Sequence, residues 1–149
     1  MLEHGLLLKS NEAFLYFNKA DALSELLRYE EALLAYDQTL ELDPNFARAW
    51  NNKGVVLHRL QRYEEALQAY AKAIQVDPHS ATTYNNLGNL LQQMKNPEDA
   101  VRSYTQAIHL NPHESALYYN LSLVLAELGR VEEARQIMGK ARELGFQDE

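Results

Sequence analysis

The chain has 149 residues, of which 46% are apolar and 23% are charged, a balance that fits a folded domain rather than a disordered tail. Its net charge of −7 is spread along the chain, which argues against nucleic acid as the main partner because phosphate binding needs a concentrated basic face. There is no apolar run near the roughly 18 residues of a membrane span, no secretory signal at the N-terminus, and no cysteine for disulfides or thiolate metal sites. These absences favour a cytoplasmic protein without membrane insertion.

Residues 1–12 precede the periodic part of the chain, and two interpretations of this leader are open. In phase with the later sequence, Leu6 and Leu8 fall where Ile74 and Val76 fall further along. The leader is therefore either the end of the last helix of an upstream repeat or a frayed extension.

From residue 13 onwards the sequence repeats with a fixed period, which predicts stacked supersecondary units. Pro44, Pro78 and Pro112 are spaced 34 residues apart, and Phe146 stands where a fourth proline would be. The repeats cover residues 13–46, 47–80, 81–114 and 115–148, and we interpret them as one domain over residues 13–148.

Each repeat contains two helical patterns, with apolar residues at i, i+3, i+4 and i+7. Short turns separate the two patterns at Leu27-Arg28, Gln61-Arg62, Lys95-Asn96 and Gly129-Arg130. Asn96 followed by Pro97 is a helix start, because asparagine caps free amides and proline suits the first turn. The closing prolines cannot continue a helix, since they lack the amide hydrogen. The pattern predicts eight helices and no strand.

Large and small residues recur at fixed positions, which predicts a core of closely packed helix pairs. The first helix of each repeat carries a large aromatic and, four residues later, a small residue: Tyr16 and Ala20, Trp50 and Gly54, Tyr84 and Gly88, Tyr118 and Ser122. The second helix carries an alanine, a bulky residue and another small one: Ala32, Tyr36 and Thr39; Ala66, Tyr70 and Ala73; Ala100, Tyr104 and Ala107; Ala134, Met138 and Ala141. A glycine inside a helix costs about 1 kcal/mol relative to alanine, so Gly54 and Gly88 indicate close approach of a neighbour.

This pattern resembles the tetratricopeptide repeat (TPR), and the resemblance covers residues 13–148. The terminal repeats depart from it at Ala20, Ser122 and Phe146, as terminal units of solenoids often do. The resemblance implies an all-α fold, an α-solenoid of antiparallel helix pairs in a right-handed superhelix whose first helices line a concave groove. It also implies a protein–protein interaction scaffold or adaptor without catalysis or cofactor.

One row of first-helix residues outside the predicted core is constant. Asparagine occupies it in every repeat, at Asn18, Asn52, Asn86 and Asn120, although it is a mediocre helix former. A carboxamide both donates and accepts, so this asparagine ladder could hold the backbone of an extended peptide. The row is similar to the asparagine ladder of the O-linked N-acetylglucosamine transferase array. The alternative interpretation is that each asparagine braces the neighbouring helix.

Further inner residues flank the asparagine ladder. The predicted peptide-binding residues are Asn18, Asn52, Asn86, Asn120, Asn51, Asn85, Asn89, Arg48, Val55, Arg59 and Tyr119. The wider inner face is expected to include Phe14, Phe17, Asp21, Ser24, Glu25, His58, Thr82, Gln92, Gln93, Ala116, Leu123, Ala126 and Glu127.

The charged residues argue against one known mode of peptide binding and indicate what charge a partner would carry. Arg48 and Arg59 are the only predicted groove cations, so the lysine and arginine clamp by which some TPR proteins bind acidic chaperone C-termini does not fit. The first repeat has a net charge of −5 and the second of +2, an asymmetry that would steer a partner with basic and acidic groups in order.

Catalytic and metal-binding motifs are missing. His109 and His113 are four residues apart, but Pro112 interrupts the helix between them, so they cannot form a metal pair on one face. There is no glycine-rich phosphate loop and no nucleophile motif. We therefore predict no enzyme, no metal and no cofactor.

The ends of the array support an alternative function. Ile137, Met138, Leu144 and Phe146 are expected to be partly uncovered, and Phe14 lies near the opposite end. Exposed apolar ends favour a homo-oligomer formed through the terminal repeats, or a regulatory TPR fragment of a larger protein. The main prediction remains an extended segment of a protein or peptide partner, bound in the groove.

Overall fold

The computed structural model describes residues 2–147; Met1 of the predicted leader and Asp148 of the fourth predicted repeat lie outside this range. Within it the chain forms eight helices and no strand, as the sequence predicts. The helices are α1 (Leu2–Glu25), α2 (Tyr29–Leu42), α3 (Ala47–Arg59), α4 (Tyr63–Val76), α5 (Ala81–Gln93), α6 (Pro97–Leu110), α7 (Ser115–Glu127) and α8 (Val131–Glu143).

The contacts divide the chain into two compact units, Met1–Pro78 and His79–Glu149. In the first unit α1 packs on α2 and α3 on α4, while α3 also contacts α2 and α1. In the second unit α5 packs on α6 and α7 on α8, and α6 contacts α7. Each unit therefore contains two helix pairs, and the interpretation of residues 13–148 as one domain stays a prediction.

A left-handed residue ends the first helix of every repeat. Leu27, Gln61, Lys95 and Gly129 have φ angles of 61°, 60°, 61° and 77°. The following amide then bonds back across the helix end, as Arg28 N does to Leu23 O at 2.9 Å. This hydrogen-bonded helix end recurs at the turn in all four repeats. Only Gly129 adopts the left-handed conformation without a steric cost, because it lacks a Cβ atom.

The second helices begin with a polar residue that contacts the side chain three positions later. Arg28, Arg62 and Arg130 pair with Glu31, Glu65 and Glu133, and Asn96 bonds to Asp99. The predicted helix start at Asn96 and Pro97 is confirmed, since Asn96 Oδ1 accepts the Asp99 amide at 3.4 Å.

Tyrosine and glycine form the centre of the second and third helix pairs. The rings of Tyr70 and Tyr104 are 1% and 0% exposed, and they lie directly on Gly54 and Gly88. A Cβ atom at either glycine would come within 2.6 Å of a ring carbon. The close approach inferred from these glycines is therefore present.

Helix α1 includes the described part of the leader. It continues from Leu2 to Glu25 without a break, and residues 3–12 are exposed along its length. Ser10 occupies the place that proline takes at the ends of later repeats, so nothing in this stretch forbids the helix. The two interpretations of residues 1–12 stay predictions.

Candidate functional site

The asparagine ladder connects consecutive first helices within each unit. Asn52 Nδ2 on α3 donates to Asp21 Oδ1 on α1 at 2.9 Å. Asn120 Nδ2 on α7 donates to Asn85 Oδ1 on α5 at the same distance. At these two positions the asparagine does brace the neighbouring helix, which was the alternative interpretation of the row.

The remaining two members of the asparagine ladder have different surroundings. Asn18 is exposed on α1 and its side chain makes no hydrogen bond within residues 2–147, whereas Asn86 on α5 is half-buried and interacts with another residue. Removal of the Asn18 side chain would therefore leave the hydrogen bonds of the scaffold intact.

A neighbouring row of predicted groove residues serves packing. Phe17 is 1% exposed and lies 4.7 Å from Phe46 between ring centroids, so its assignment to the inner face is wrong. The aromatic Phe46, which follows α2, covers it. The equivalent Tyr119 is half-buried and stacks on Phe146 at 4.2 Å, and Asn51 is buried and donates to Asn52 Oδ1 at 3.0 Å. Of these residues, Asn51 also holds a member of the asparagine ladder, Asn52.

An open cavity of about 240 Å³ lies between α1, α2 and α3 in the first unit. Its lining residues are Asp21, Ser24, Glu25, Tyr36, Asn52 and Val55, of which only Tyr36 was not predicted on the inner face. The Tyr36 hydroxyl donates to Asp21 Oδ1, the same oxygen that accepts from Asn52. Burial raises the pKa of Tyr36, as do its hydrogen bond to Asp21 and the charges of Asp21 and Glu25. Tyr36 therefore stays a protonated donor.

The third repeat makes the same tyrosine contact with neutral groups. The Tyr104 hydroxyl lies 2.5 Å from Asn89 Oδ1 and 3.0 Å from Gln92 Oε1. Nearby is an opening of about 460 Å³ lined by Gln92, Gln93, Lys95, Pro97 and Glu127. Burial raises the pKa of Tyr104, with a smaller contribution from the charge of Glu127. The amide Asn89 thus stands where the first repeat has the carboxylate Asp21.

The second repeat contributes the cations of the predicted surface. Arg48 is exposed, and its guanidinium lies 4.9 Å from the centroid of the Phe17 ring, within cation–π distance. Arg59 is also exposed, at the end of α3 beside the half-buried His58. Burial lowers the pKa of His58, and the charge of Arg59 lowers it further. Both effects disfavour a charged imidazole there.

The sequence pattern predicts Tyr36 only as a core residue. It is buried, but it also lines the cavity, which the pattern did not predict. A spacing of 15 residues separates Asp21 from Tyr36 and Asn89 from Tyr104, and each pair is hydrogen-bonded. A tyrosine 15 residues after a polar first-helix residue was the signal that could have identified this contact.

Within residues 2–147, histidine and carboxylate side chains do not gather in groups of three or more that could hold a metal ion. None of the described helices has the length and apolar character that crossing a bilayer requires.

Three family models match the chain and together extend from residue 20 to residue 145. Two are described as tetratricopeptide repeat, over residues 45–112 and 85–145, and one as TPR repeat, over residues 20–61. The chain belongs to the tetratricopeptide repeat family. TPR proteins are typically interaction modules rather than enzymes, so the coarse prediction of a protein–protein interaction scaffold is confirmed.

Solved structures of TPR proteins are similar over most of the chain. MamA from Desulfovibrio magneticus RS-1 is 25% identical with a TM-score of 0.82, and the match covers 90% of this chain and 76% of that one. PilF of Pseudomonas aeruginosa is 27% identical with a TM-score of 0.85, covering 92% and 63% respectively. YrrB, described as a TPR protein with an unusual peptide-binding site, is 28% identical with a TM-score of 0.77, covering 87% and 67%. The α-solenoid class is thereby confirmed, while no curated protein matches in sequence.

Proposed function

We propose that the protein is an adaptor that binds an extended peptide segment of a partner protein along its first helices. The observation that carries this proposal is the fixed position of Asn52 and Asn120, each tied to the preceding first helix by a hydrogen bond of 2.9 Å. A side chain held in this way loses little conformational freedom when it binds, which favours affinity.

The asparagines keep hydrogen-bonding capacity after making these bonds. Each carboxamide has two N–H donors and an oxygen with two lone pairs, and the contact between helices uses one donor. A second N–H of Asn120 therefore remains to donate to a peptide carbonyl, and its oxygen remains to accept from a peptide amide. Contacts of this kind recognise a backbone irrespective of its side chains.

Similarity to a peptide-binding TPR protein supports the proposal. YrrB carries a peptide-binding site by its own description, and 87% of this chain matches it. For the present chain the peptide is expected on Asn18 and Asn52 in the first unit, and on Asn86, Asn89 and Asn120 in the second.

The test uses a variant at Asn18, the exposed member of the asparagine ladder. A partner is captured from source lysate with the wild type, with Asn18→Ala, and with the control Gln38→Ala. The control removes a carboxamide from an exposed position on α2. Selective loss of a protein with the asparagine variant supports groove binding, whereas equal capture by all three refutes it.

A photo-crosslinker placed at single positions identifies the helix that the partner contacts. Benzoylphenylalanine replaces Asn18 in one sample and Gln38 in the other, and mass spectrometry identifies the crosslinked peptide. Crosslinking of one partner segment from Asn18 but not from Gln38 is the expected result. The reverse result would assign binding to the second helices.

Self-association is a second candidate, favoured by the apolar residues at the chain ends. Leu6, Leu7 and Leu8 on α1 are 67%, 59% and 51% exposed, and Ile137 and Phe146 are half-buried. Sedimentation over a concentration series tests this function. A mass that rises with concentration and falls with Leu6→Lys/Leu7→Lys supports it, and a monomer at every concentration refutes it.

A further inference from the structure

The cavity in the first unit contains a carboxylate that is only partly satisfied. Both hydrogen bonds to Asp21, from Tyr36 and from Asn52, end on Oδ1. Within residues 2–147 no group donates to Asp21 Oδ2, and Asp21 forms no ion pair with lysine or arginine. A half-buried carboxylate with an open oxygen has strong capacity to accept a charged donor.

The other lining groups suit the same kind of ligand. Glu25 follows Asp21 by one helical turn and is exposed, without an ion-pair partner in the described range. Ser24 offers a hydroxyl oxygen, and Val55 forms an aliphatic wall against which methylene groups can pack. None of the lining residues is basic.

A comparison between repeats shows that the tyrosine contact does not require the charge of Asp21. The residues equivalent to Asp21 are Val55, Asn89 and Leu123. In the third repeat the neutral Asn89 accepts the equivalent hydroxyl, that of Tyr104, at 2.5 Å. An amide therefore makes the tyrosine contact as well, and this contact alone does not account for the negative charge in the first repeat.

We propose that this cavity is a subsite for a lysine or arginine side chain of the bound peptide. The inference rests on the proposed function and adds the partner's chemistry to it. The cationic head pairs with Asp21 Oδ2 and Glu25, and its methylene stem packs on Val55. Complementary charge steers the encounter with the peptide and fixes its register, and removing one partner of such a pair leaves the other charge unpaired at a cost in affinity.

The test begins with a phage library of random dodecapeptides selected on the immobilised wild-type chain. We expect selected sequences to share one lysine or arginine at a fixed place. The dissociation constant of a selected peptide is then measured by fluorescence anisotropy with wild type, Asp21→Asn, Glu25→Gln and Glu41→Gln. Asp21→Asn copies the arrangement at Asn89, and Glu41→Gln removes the same charge from an exposed position on α2.

The expected result is a loss of affinity of roughly five- to tenfold with Asp21→Asn, a smaller loss with Glu25→Gln, and none with Glu41→Gln. Replacing the peptide's lysine by norleucine, or its arginine by citrulline, should give a similar loss with wild type. With Asp21→Asn the same peptide change should have little further effect, because the pair is already broken. Lysine and arginine are distinguished by which of the two residues the selection enriches.

Three results would overturn the inference. Peptides without a conserved basic residue, or equal losses with Asp21→Asn and Glu41→Gln, would exclude the subsite while leaving peptide binding by the groove in place. Failure to select any binding peptide would remove the proposed function together with the subsite. Thermal melts of each variant verify folding, and Glu25→Gln provides the test at an exposed position if Asp21→Asn is unstable.

Discussion

Replacement of Gly54 or Gly88 by alanine tests the close contact at the centre of the helix pairs. A methyl group at Gly88 would lie 2.6 Å from one carbon of the Tyr104 ring, whereas ordinary contacts are 3.4–4 Å. The ring must therefore retreat by about 1 Å in a core packed to crystal-like density. It is fully buried, so there is no open side into which it can move.

The expected change in the free energy of unfolding is the sum of opposing contributions. Overpacking a core costs about 1–3 kcal/mol, while alanine in place of glycine favours a helix by about 1 kcal/mol. Tyr104 is also held by Asn89 and Gln92, so its retreat weakens a hydrogen bond worth about 1 kcal/mol. We expect Gly88→Ala to lower the free energy of unfolding by about 2 kcal/mol and Gly54→Ala by about 1 kcal/mol.

The assay is urea denaturation followed by far-UV circular dichroism, and the matched control is Gly139→Ala. Gly139 also lies within a helix, but a Cβ atom there would meet nothing within 4 Å. Alanine at this position should therefore raise stability by up to about 1 kcal/mol. If Gly88→Ala proves as stable as Gly139→Ala, the argument from close approach is refuted.

Three further changes test other parts of the structure. Gln61→Gly should raise the free energy of unfolding by about 1 kcal/mol, since it removes a side chain from a residue at φ 60°; an unchanged urea midpoint would contradict this. Phe17→Ala should lower that free energy by about 3–5 kcal/mol and Phe14→Ala by much less, because only Phe17 is fully buried; similar losses would contradict the assignment of Phe17 to the core. The folded state lowers the pKa of His58 below its usual 6.5, so the unfolded chain takes up this proton first and stability falls as the pH drops below that value. His58→Gln should flatten this decline in thermal melts taken from pH 7.5 to 5.5 (about one unit either side of the usual pKa), and an unchanged slope would exclude the histidine as its cause.

Much of the fold could be predicted because the residues that end helices act locally. The residue pairs Gln61-Arg62 and Lys95-Asn96 mark turns whose bounds agree with the structure, and Asn96 caps α6 as expected. The structure of the leader was harder to predict. Residues 2–12 contain no proline, and only this lack of a stop signal indicates that they continue into α1.

The site was less predictable because residues far along the chain determine which positions of a first helix are covered. Phe17 and Asn18 are adjacent in sequence, yet Phe17 is 1% exposed and Asn18 faces solvent. Phe46, some thirty residues later, decides which of the two is covered. The hydrogen bond from Asn52 to Asp21 likewise depends on how α1 and α3 meet, which a pattern within one repeat does not contain.

The 34-residue period separates what must stay constant in this chain from what is free to vary. A left-handed turn residue, a small residue and a bulky second-helix residue recur in every repeat, whereas the place held by Asp21 is aspartate, valine, asparagine and leucine in succession. Duplication or exchange of whole repeats would therefore carry a new residue to this place without altering the contacts inside a helix pair. The peptide sequence that a TPR protein binds can thus change when existing repeats are rearranged, because each repeat can already fold in the place of its neighbour.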